Sequence, residues 1–351
     1  MESHARQVVP HPPTFRPIKA TPPSPMKTSI HTYPNAPQTI PQMASWPETR
    51  HQFEPEHILA LQAAQATGRP LLIRGEAGTG KSQLAHAAAH VSKRAFLPVV
   101  VAAATEASDL HWKFDAIARL ADAHMVANIV STAADKPNTS PLHVKHYVRP
   151  GALWWALNWA TAATQLKDCR HEGAALPDTP EGWAPKNGVV LLIDEIDKAE
   201  PDLPNGLLEA LANGAFDVPL LGITVRQAED APKPIIIITT NDERELPAAF
   251  LRRCLVLTLK LPETDSALRE YLIARGKLHF PDLPAESLSD AAQMLVDDRR
   301  AAERQRCYTP GLAEYLDLLR AVEGLGRQGT AALKELKHFY FEKQTTGSNA
   351  A

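Results

Sequence analysis

The residues best equipped for chemistry lie in the stretch Gly75-Glu76-Ala77-Gly78-Thr79-Gly80-Lys81-Ser82. Gly75, Gly78 and Gly80 allow backbone conformations that a Cβ would forbid, so successive N–H groups can turn inward on an anion. Lys81 adds a point charge suited to β- and γ-phosphates, and the Ser82 hydroxyl is of the kind that ligates Mg2+. Such a loop needs a strand before it and a helix after it, because the helix N-terminus aims its dipole at the same anion. Both are present. Leu71-Leu72-Ile73 reads as a buried strand and Leu84 to Ala89 as a helix, with Gln83 in its first turn. A glycine-rich turn matches this pattern by chance in on the order of one chain in a hundred of this length, and the correct flanks lower that further. The stretch implies a nucleotide phosphate site.

A second constellation is Val189-Val190-Leu191-Leu192-Ile193-Asp194-Glu195. Five consecutive apolar residues suit a strand buried on both faces of a parallel sheet. The two carboxylates then fall at the C-terminal end of the strand, where ligands bind in such sheets. Asp194 is placed to hold Mg2+ together with Ser82, and Glu195 can polarise a water for in-line attack on a γ-phosphate. Ile235 to Thr240 reads as another buried strand, ending in Asn241, whose amide can orient that water or touch the γ-phosphate. An ordinary strand-end cap is the plainer role for the same residue. Phe250-Leu251-Arg252-Arg253-Cys254 then leads into a last strand, Leu255 to Leu259.

The elements that must position these groups alternate strand and helix, as an α/β fold requires. A helix is expected from about Phe53 to Ala64, stopped by Gly68, and a second strand from Phe96 to Ala102. Lys81 and Asp194 are separated by far more chain than the roughly 30 residues of one strand–helix–strand unit. The surplus predicts a helical insert over about 109–187, and inserts of this kind are where a substrate or partner is commonly met. Within it, Pro150-Gly151 opens a helix carrying Trp154, Trp155 and Trp159, and packing against a neighbouring helix is the economical reading of those rings. Residues 216 to 225 read as a hairpin, and four helices are expected at 265–278, 285–300, 311–322 and 330–343.

The domain plan is therefore a proline-rich tail over 1–45, an α/β nucleotide-binding domain over 46–261, a helical domain over 262–345 and a short tail over 346–351. Proline at the density of the first 45 residues favours extended, solvated chain, so that segment reads as disordered. The alternative is a docking strip for a partner's aromatic groove. Hydrophobic residues make up 44% of 351, enough for a full core, and the formal charge of −3 advertises no nucleic-acid binding. Cys169, Cys254 and Cys307 are odd in number and far apart, which suggests no disulfide framework and a reducing compartment. With no apolar run near the roughly 18 residues of a membrane span and no signal-peptide core, a soluble cytoplasmic protein is expected.

Taken together these residues resemble the AAA+ ATPases, and within them the MoxR-like branch, over about residues 50 to 343. Gly75 to Ser82 is similar to the family's Walker A, with Ala77 where proline is frequent. Leu191 to Ala199 is similar to its Walker B, and Pro150-Gly151-Ala152-Leu153 to its proline–glycine turn. Asn241 matches sensor 1 and Arg253 the arginine finger, with Arg252 a close second. The resemblance implies a five-stranded parallel sheet ordered 5-1-4-3-2, sandwiched by helices and followed by a small all-α lid. It also implies ATP and Mg2+ as ligands and a homo-oligomeric ring, usually of six. A protein client beside a von Willebrand factor A domain partner is implied as well. In one place the sequence departs from the pattern: the lid motif Ser-Pro-Arg is represented by Thr309-Pro310-Gly311, without its arginine, leaving Arg304 or Arg306 as stand-ins.

Three functions stay open on these grounds: an ATP-driven remodeller of a protein, a nucleic-acid-directed motor or loader, and an ATP-binding switch with little turnover. The near-neutral charge disfavours the second, and an intact Glu195 disfavours the third. No Asn-Lys-x-Asp guanine-reading motif is present, which speaks against a GTPase.

Overall fold

The computed structural model describes residues 30–43, 46–129, 142–170, 175–305, 309–326 and 329–341. The chain enters through two short antiparallel strands, β1 (Gln38–Ile40) and β2 (Thr49–His51). Helix α1 (Pro55–Thr67) follows, with Pro55 in its first turn and Gly68 left-handed at its end. Then come β3 (Leu71–Arg74), α2 (Lys81–Val91) and β4 (Ala95–Val100).

The insert begins with α3 (Ala107–His111), β5 (Trp112–Phe114) and α4 (Ala116–Ile129), and continues with β6 (Val148–Pro150), α5 (Ala152–Leu157) and α6 (Trp159–Asp168). It is not purely helical: β5 and β6 pair antiparallel, with Lys113 opposite Arg149. The helix opened by Pro150-Gly151 also breaks. Asn158 leaves helical geometry and its side chain caps α6, accepting from the Thr161 amide at 3.2 Å.

After the insert come β7 (Val189–Asp194), α7 (Asp202–Asn213), the hairpin β8 (Ala215–Val218) and β9 (Ile223–Arg226), then β10 (Ile235–Thr240), α8 (Ala248–Leu251) and β11 (Leu255–Thr258). Four helices close the chain: α9 (Asp265–His279), α10 (Ala285–Gln305), α11 (Leu312–Gly324) and α12 (Thr330–Phe341). They enclose a core of their own around Leu272, Leu295, Tyr315 and Leu318. This is the expected lid.

The five parallel strands lie in the order β11-β3-β10-β7-β4, which is the expected 5-1-4-3-2. Alternate residues of each strand feed opposite cores, because side chains alternate across a pleated sheet. Leu72, Leu191, Ile193, Ile236 and Ile238 enter one core, with the tryptophans of α5. Leu71, Ile73, Val190, Leu192 and Ile237 enter the other, beneath α1 and α2. Continuous apolar runs thus mark strands covered on both faces. Trp154 is fully buried, and Trp155, Trp159 and Trp183 pack ring on ring, so the tryptophans are packing residues.

The tail expected over 1–45 is corrected in its last third. Tyr33 is 2% exposed and Ile40 0%, and both belong to the core beneath α1 and α2. The backbone N–H of His31 bonds the Gln65 side chain at 2.9 Å. The prolines of this stretch hid the pattern: they remove donors without preventing Tyr33 and Ile40 from each burying a side chain worth about 1.5–3 kcal/mol. Residues 1–29, Arg306, Cys307 and the tail after 345 lie outside the described residues.

Candidate nucleotide site

The phosphate loop leaves the C-terminal end of β3, and Gly80 caps α2 in a left-handed conformation. Gly75 has φ 149°, and a Cβ there would stand 2.4 Å from the carbonyl oxygen of Leu259. Glycine is therefore obligatory at the point where the loop crosses the end of β11. Lys81 is 6% exposed. Its ammonium donates to the carbonyls of Gly75 at 2.7 Å and Glu76 at 2.8 Å, so the charge is tethered inside the cradle. Burial holds this lysine below its ordinary range against the opposing pull of Asp194 and neighbouring carboxylates.

The strand order brings the second constellation alongside. Between β3 and β7 lies only β10, and the Ser82 hydroxyl donates to the carboxylate of Asp194 at 2.7 Å and 2.9 Å. A hydroxyl and a carboxylate in contact are a fitting donor pair for Mg2+, which takes one or two protein oxygens and keeps several waters. Glu195 sits just beyond with φ 60°, a left-handed conformation that costs a non-glycine residue about 1–3 kcal/mol. Thr239 holds it there, accepting from the Glu195 amide at 2.9 Å while donating to Asp194. The Glu195 carboxylate pairs with Lys198 at 2.6 Å.

Asn241 follows the tip of β10, between the loop and these carboxylates. Its backbone N–H and that of Glu243 donate to Asp197 at 3.0 Å and 2.9 Å, so a buried carboxylate, 2% exposed, locates this turn. Sequence reasoning passed over Thr239 and Asp197. Their signal was nevertheless visible, as a hydroxyl inside an apolar strand and a third acid three residues after Asp194.

Beside the loop lies a cavity of about 410 Å3, walled by Gly78, Gly80 and Gln83 on one side and by Tyr271, Arg275 and Leu316 of the lid on the other. The buried Gln83 amide nitrogen has no hydrogen-bond partner among the described residues, and nothing stands within 4 Å of where a Gly80 Cβ would be. An open cradle and an orphaned donor fit a nucleotide. Glu76, Ala77 and Thr79 complete the loop, with the Thr79 hydroxyl on the Glu76 carbonyl at 2.9 Å.

Arg252 and Arg253 are not brought to this site. Both are exposed in the turn after α8, ahead of β11, which runs parallel to β3 with Leu255 opposite Leu71. They therefore lie at the N-terminal edge of the sheet, across a strand of about 13 Å from the loop. Arg253 folds back, donating to the Ala249 carbonyl at 3.0 Å. Arg69 grips the turn, donating to the carbonyls of Arg252, Arg253 (3.1 Å) and Cys254 (3.1 Å). Of the two lid stand-ins, Arg304 is exposed near the end of α10.

The family model for the AAA domain (dynein-related subfamily) matches residues 70–254, more than half of the chain. The chain belongs to this family. The match takes in both constellations and ends at the arginine turn. For an AAA domain, ATP hydrolysis is the general expectation, and the sheet order found here is the family's own. No curated protein matches the chain. Among solved structures, a point mutant of RuvB from Thermotoga maritima is 17% identical, covering 82% of this chain and 69% of that one at a TM-score of 0.42. The RuvB Holliday junction branch migration motor from the same organism is 16% identical over 81% and 66%, with a TM-score of 0.37. A candidate ATPase from Cytophaga hutchinsonii is 13% identical over 80% and 78%, with a TM-score of 0.34. Among the described residues of this AAA protein, no helix is long and apolar enough to cross a membrane.

Proposed function

We propose that the chain binds ATP with Mg2+ and hydrolyses it, working as a MoxR-like remodeller of a protein client within a homo-oligomeric ring of six subunits, in the cytoplasm. The observation that carries this reading is the contact of Ser82 with Asp194 beside a Glu195 turned left-handed at the strand tip. The loop glycines and Lys81 hold the phosphates. Ser82 and Asp194 would hold Mg2+, which supplies charge neutralisation on the phosphate oxygens when bound. Glu195 takes the proton of the attacking water, and Asn241 orients that water. Release of Glu195 from Lys198 belongs to this step, since an ion-paired carboxylate is a weaker base.

A protein client is favoured over nucleic acid by the formal charge of −3, and a von Willebrand factor A domain partner follows from the MoxR-like resemblance. Steady-state phosphate release, with and without Mg2+, tests the enzyme. The Glu195→Gln chain should keep ATP affinity and lose turnover, and its ATP-bound form should retain the client on co-purification. Recovery of DNA or RNA instead would replace the remodelling reading with that of a nucleic-acid motor. ATP uptake with no turnover even in the unaltered chain would leave the switch.

A further inference from the structure

The lid meets the phosphate loop through a contact that phosphate binding itself does not require. Arg299 lies on α10 with its side chain 13% exposed. It donates from Nη2 to both carboxylate oxygens of Glu76, at 2.8 Å and 2.9 Å, and from Nη1 to the carbonyl of Pro310 at 3.1 Å. Glu76 is thus used twice: its carbonyl receives the Lys81 ammonium, and its carboxylate receives the lid. Just past Pro310, α11 rests on the same loop, where a Cβ at Gly78 would stand 2.6 Å from the Ala313 Cβ. The far wall is anchored separately, by Arg275 of α9 on Glu54 and by Arg50 on the Leu278 carbonyl at 3.3 Å. The cavity beside the loop is lined by Arg50, Glu54 and Arg275 of this second anchor and by Gly78 and Ala313 where α11 meets the loop, whereas Glu76 and Arg299 line a neighbouring cleft with Asn241.

We propose that Glu76 and Arg299 form a latch that holds the lid against the phosphate loop and sets the rate at which nucleotide leaves, an inference that rests on the nucleotide reading above. Arg299 is a positioning residue: it acts through Glu76 and Pro310, on loop and lid at once. Exposed ion pairs contribute little because water competes for both partners. This one differs in being charge-assisted, with a shielded guanidinium whose Nη2 is shared between the two carboxylate oxygens while Nη1 holds Pro310. Glu303, 3.5 Å from Arg299 Nε, holds the guanidinium on its other side and keeps Nη2 aimed at the loop. Opening the lid from the loop breaks the Arg299–Glu76 pair, and a departing nucleotide needs that opening.

The experiment is stopped-flow displacement of fluorescent ADP from the full chain, for the unaltered protein, Glu76→Gln, Arg299→Gln and the double variant. Each single change should speed release about three- to fivefold, the effect expected of one charge-assisted pair. The double should be no faster than either, because both remove the same bond. Arg299→Glu should be faster still, and adding Glu76→Arg to it should bring the rate back towards that of the unaltered chain, a rescue that general loosening of the lid would not produce. Effects that multiply in the double variant, or a charge swap without rescue, overturn the latch. A chain that takes up no ADP sinks the nucleotide reading together with the latch, whereas ADP uptake with release indifferent to these variants sinks the latch alone.

Discussion

The phosphate loop and the Arg252–Arg253 turn stand at opposite edges of one sheet, and they are finished to different degrees. At the loop, the charged and hydroxyl groups are paired within the chain: Lys81 on two carbonyls, Ser82 on Asp194, Glu195 on Thr239 and Lys198. At the turn, the backbone is as carefully held, by three bonds from Arg69, yet both arginine side chains are exposed. A firmly fixed backbone under exposed arginines, of which Arg253 donates to the Ala249 carbonyl of its own turn, suits the proposed site completed by a neighbour. Head-to-tail contacts of that sort close into rings. The difference teaches that one half of the proposed chemistry is readable within a chain, and the other half only between chains.

The largest effect should break the comparison open. An arginine supplied to a neighbour's phosphates contributes about 10³–10⁵ in rate in related NTPases. The Arg252→Ala, Arg253→Ala double variant should therefore bind ATP normally and release almost no phosphate. Mixing it with Lys81→Ala subunits should recover part of the activity, because some interfaces then join an intact loop to an intact turn. If mixed rings form on gel filtration and the mixture is no better than its parts, the turn does not act in trans.

The loop should fail in the opposite way. Lys81→Ala removes a buried charge-assisted contact of about 1.5–3 kcal/mol, so ATP affinity should fall roughly ten- to a hundredfold. Titration calorimetry of the isolated chain reads this, and dilution below ring-forming concentrations should leave the deficit unchanged. A deficit that vanishes on dilution would mean that the loop, too, depends on a neighbour.

The loop side is also the side that residues 30–43 support. Ile40→Ala should cost about 2–4 kcal/mol in denaturant unfolding, the usual penalty for a fully buried large-to-small change. Deleting residues 1–29 should cost nothing measurable, since their composition offers little apolar surface to offset ordering. Loss of stability on that deletion would extend the packed segment further towards the start of the chain.

The smallest effect is a pH signature. Burial, helped by Arg275, pushes the imidazole of His279 beside the cavity down to about 4, and burial alone does the same for His111. An unfolded histidine protonates near 6.5. These groups therefore add stability that is complete above pH 6.5 and is lost as pH falls from there towards 4, by no more than about 1 kcal/mol each at pH 5 after allowance for solvent. Urea midpoints at pH 7 and pH 5 should show the drop, and His279→Gln should reduce it. The arginine turn carries no histidine, so ring assembly measured at the same two pH values should not follow this trend.

The loop glycines, Lys81, Ser82, Asp194 and Glu195 were legible in the sequence because each belongs to a local pattern: an apolar strand, a polar loop, a helix start. The strand order followed from the resemblance those patterns carry. The buried tail segment was not legible, because Tyr33 and Ile40 are isolated apolar residues on either side of Pro34 and Pro37, which rule out the helix that their spacing of seven would otherwise suggest. Nor was the β5–β6 pair, whose three-residue strands are too short to show alternation.

By itself the sequence determined the chemistry at the strand ends, since the residues that bind phosphate must be contiguous to share one backbone curve. Only the tertiary structure decided three further things. Thr239 and Asp197 hold the turns at Glu195 and Asn241 through bonds spanning 44 residues of chain. Arg299, rather than the exposed Arg304, meets the loop. Arg252 and Arg253 stand at the opposite end of the strands from their own site. Each depends on the direction in which parallel strands run and on which elements they bring together, and no spacing along the chain records that.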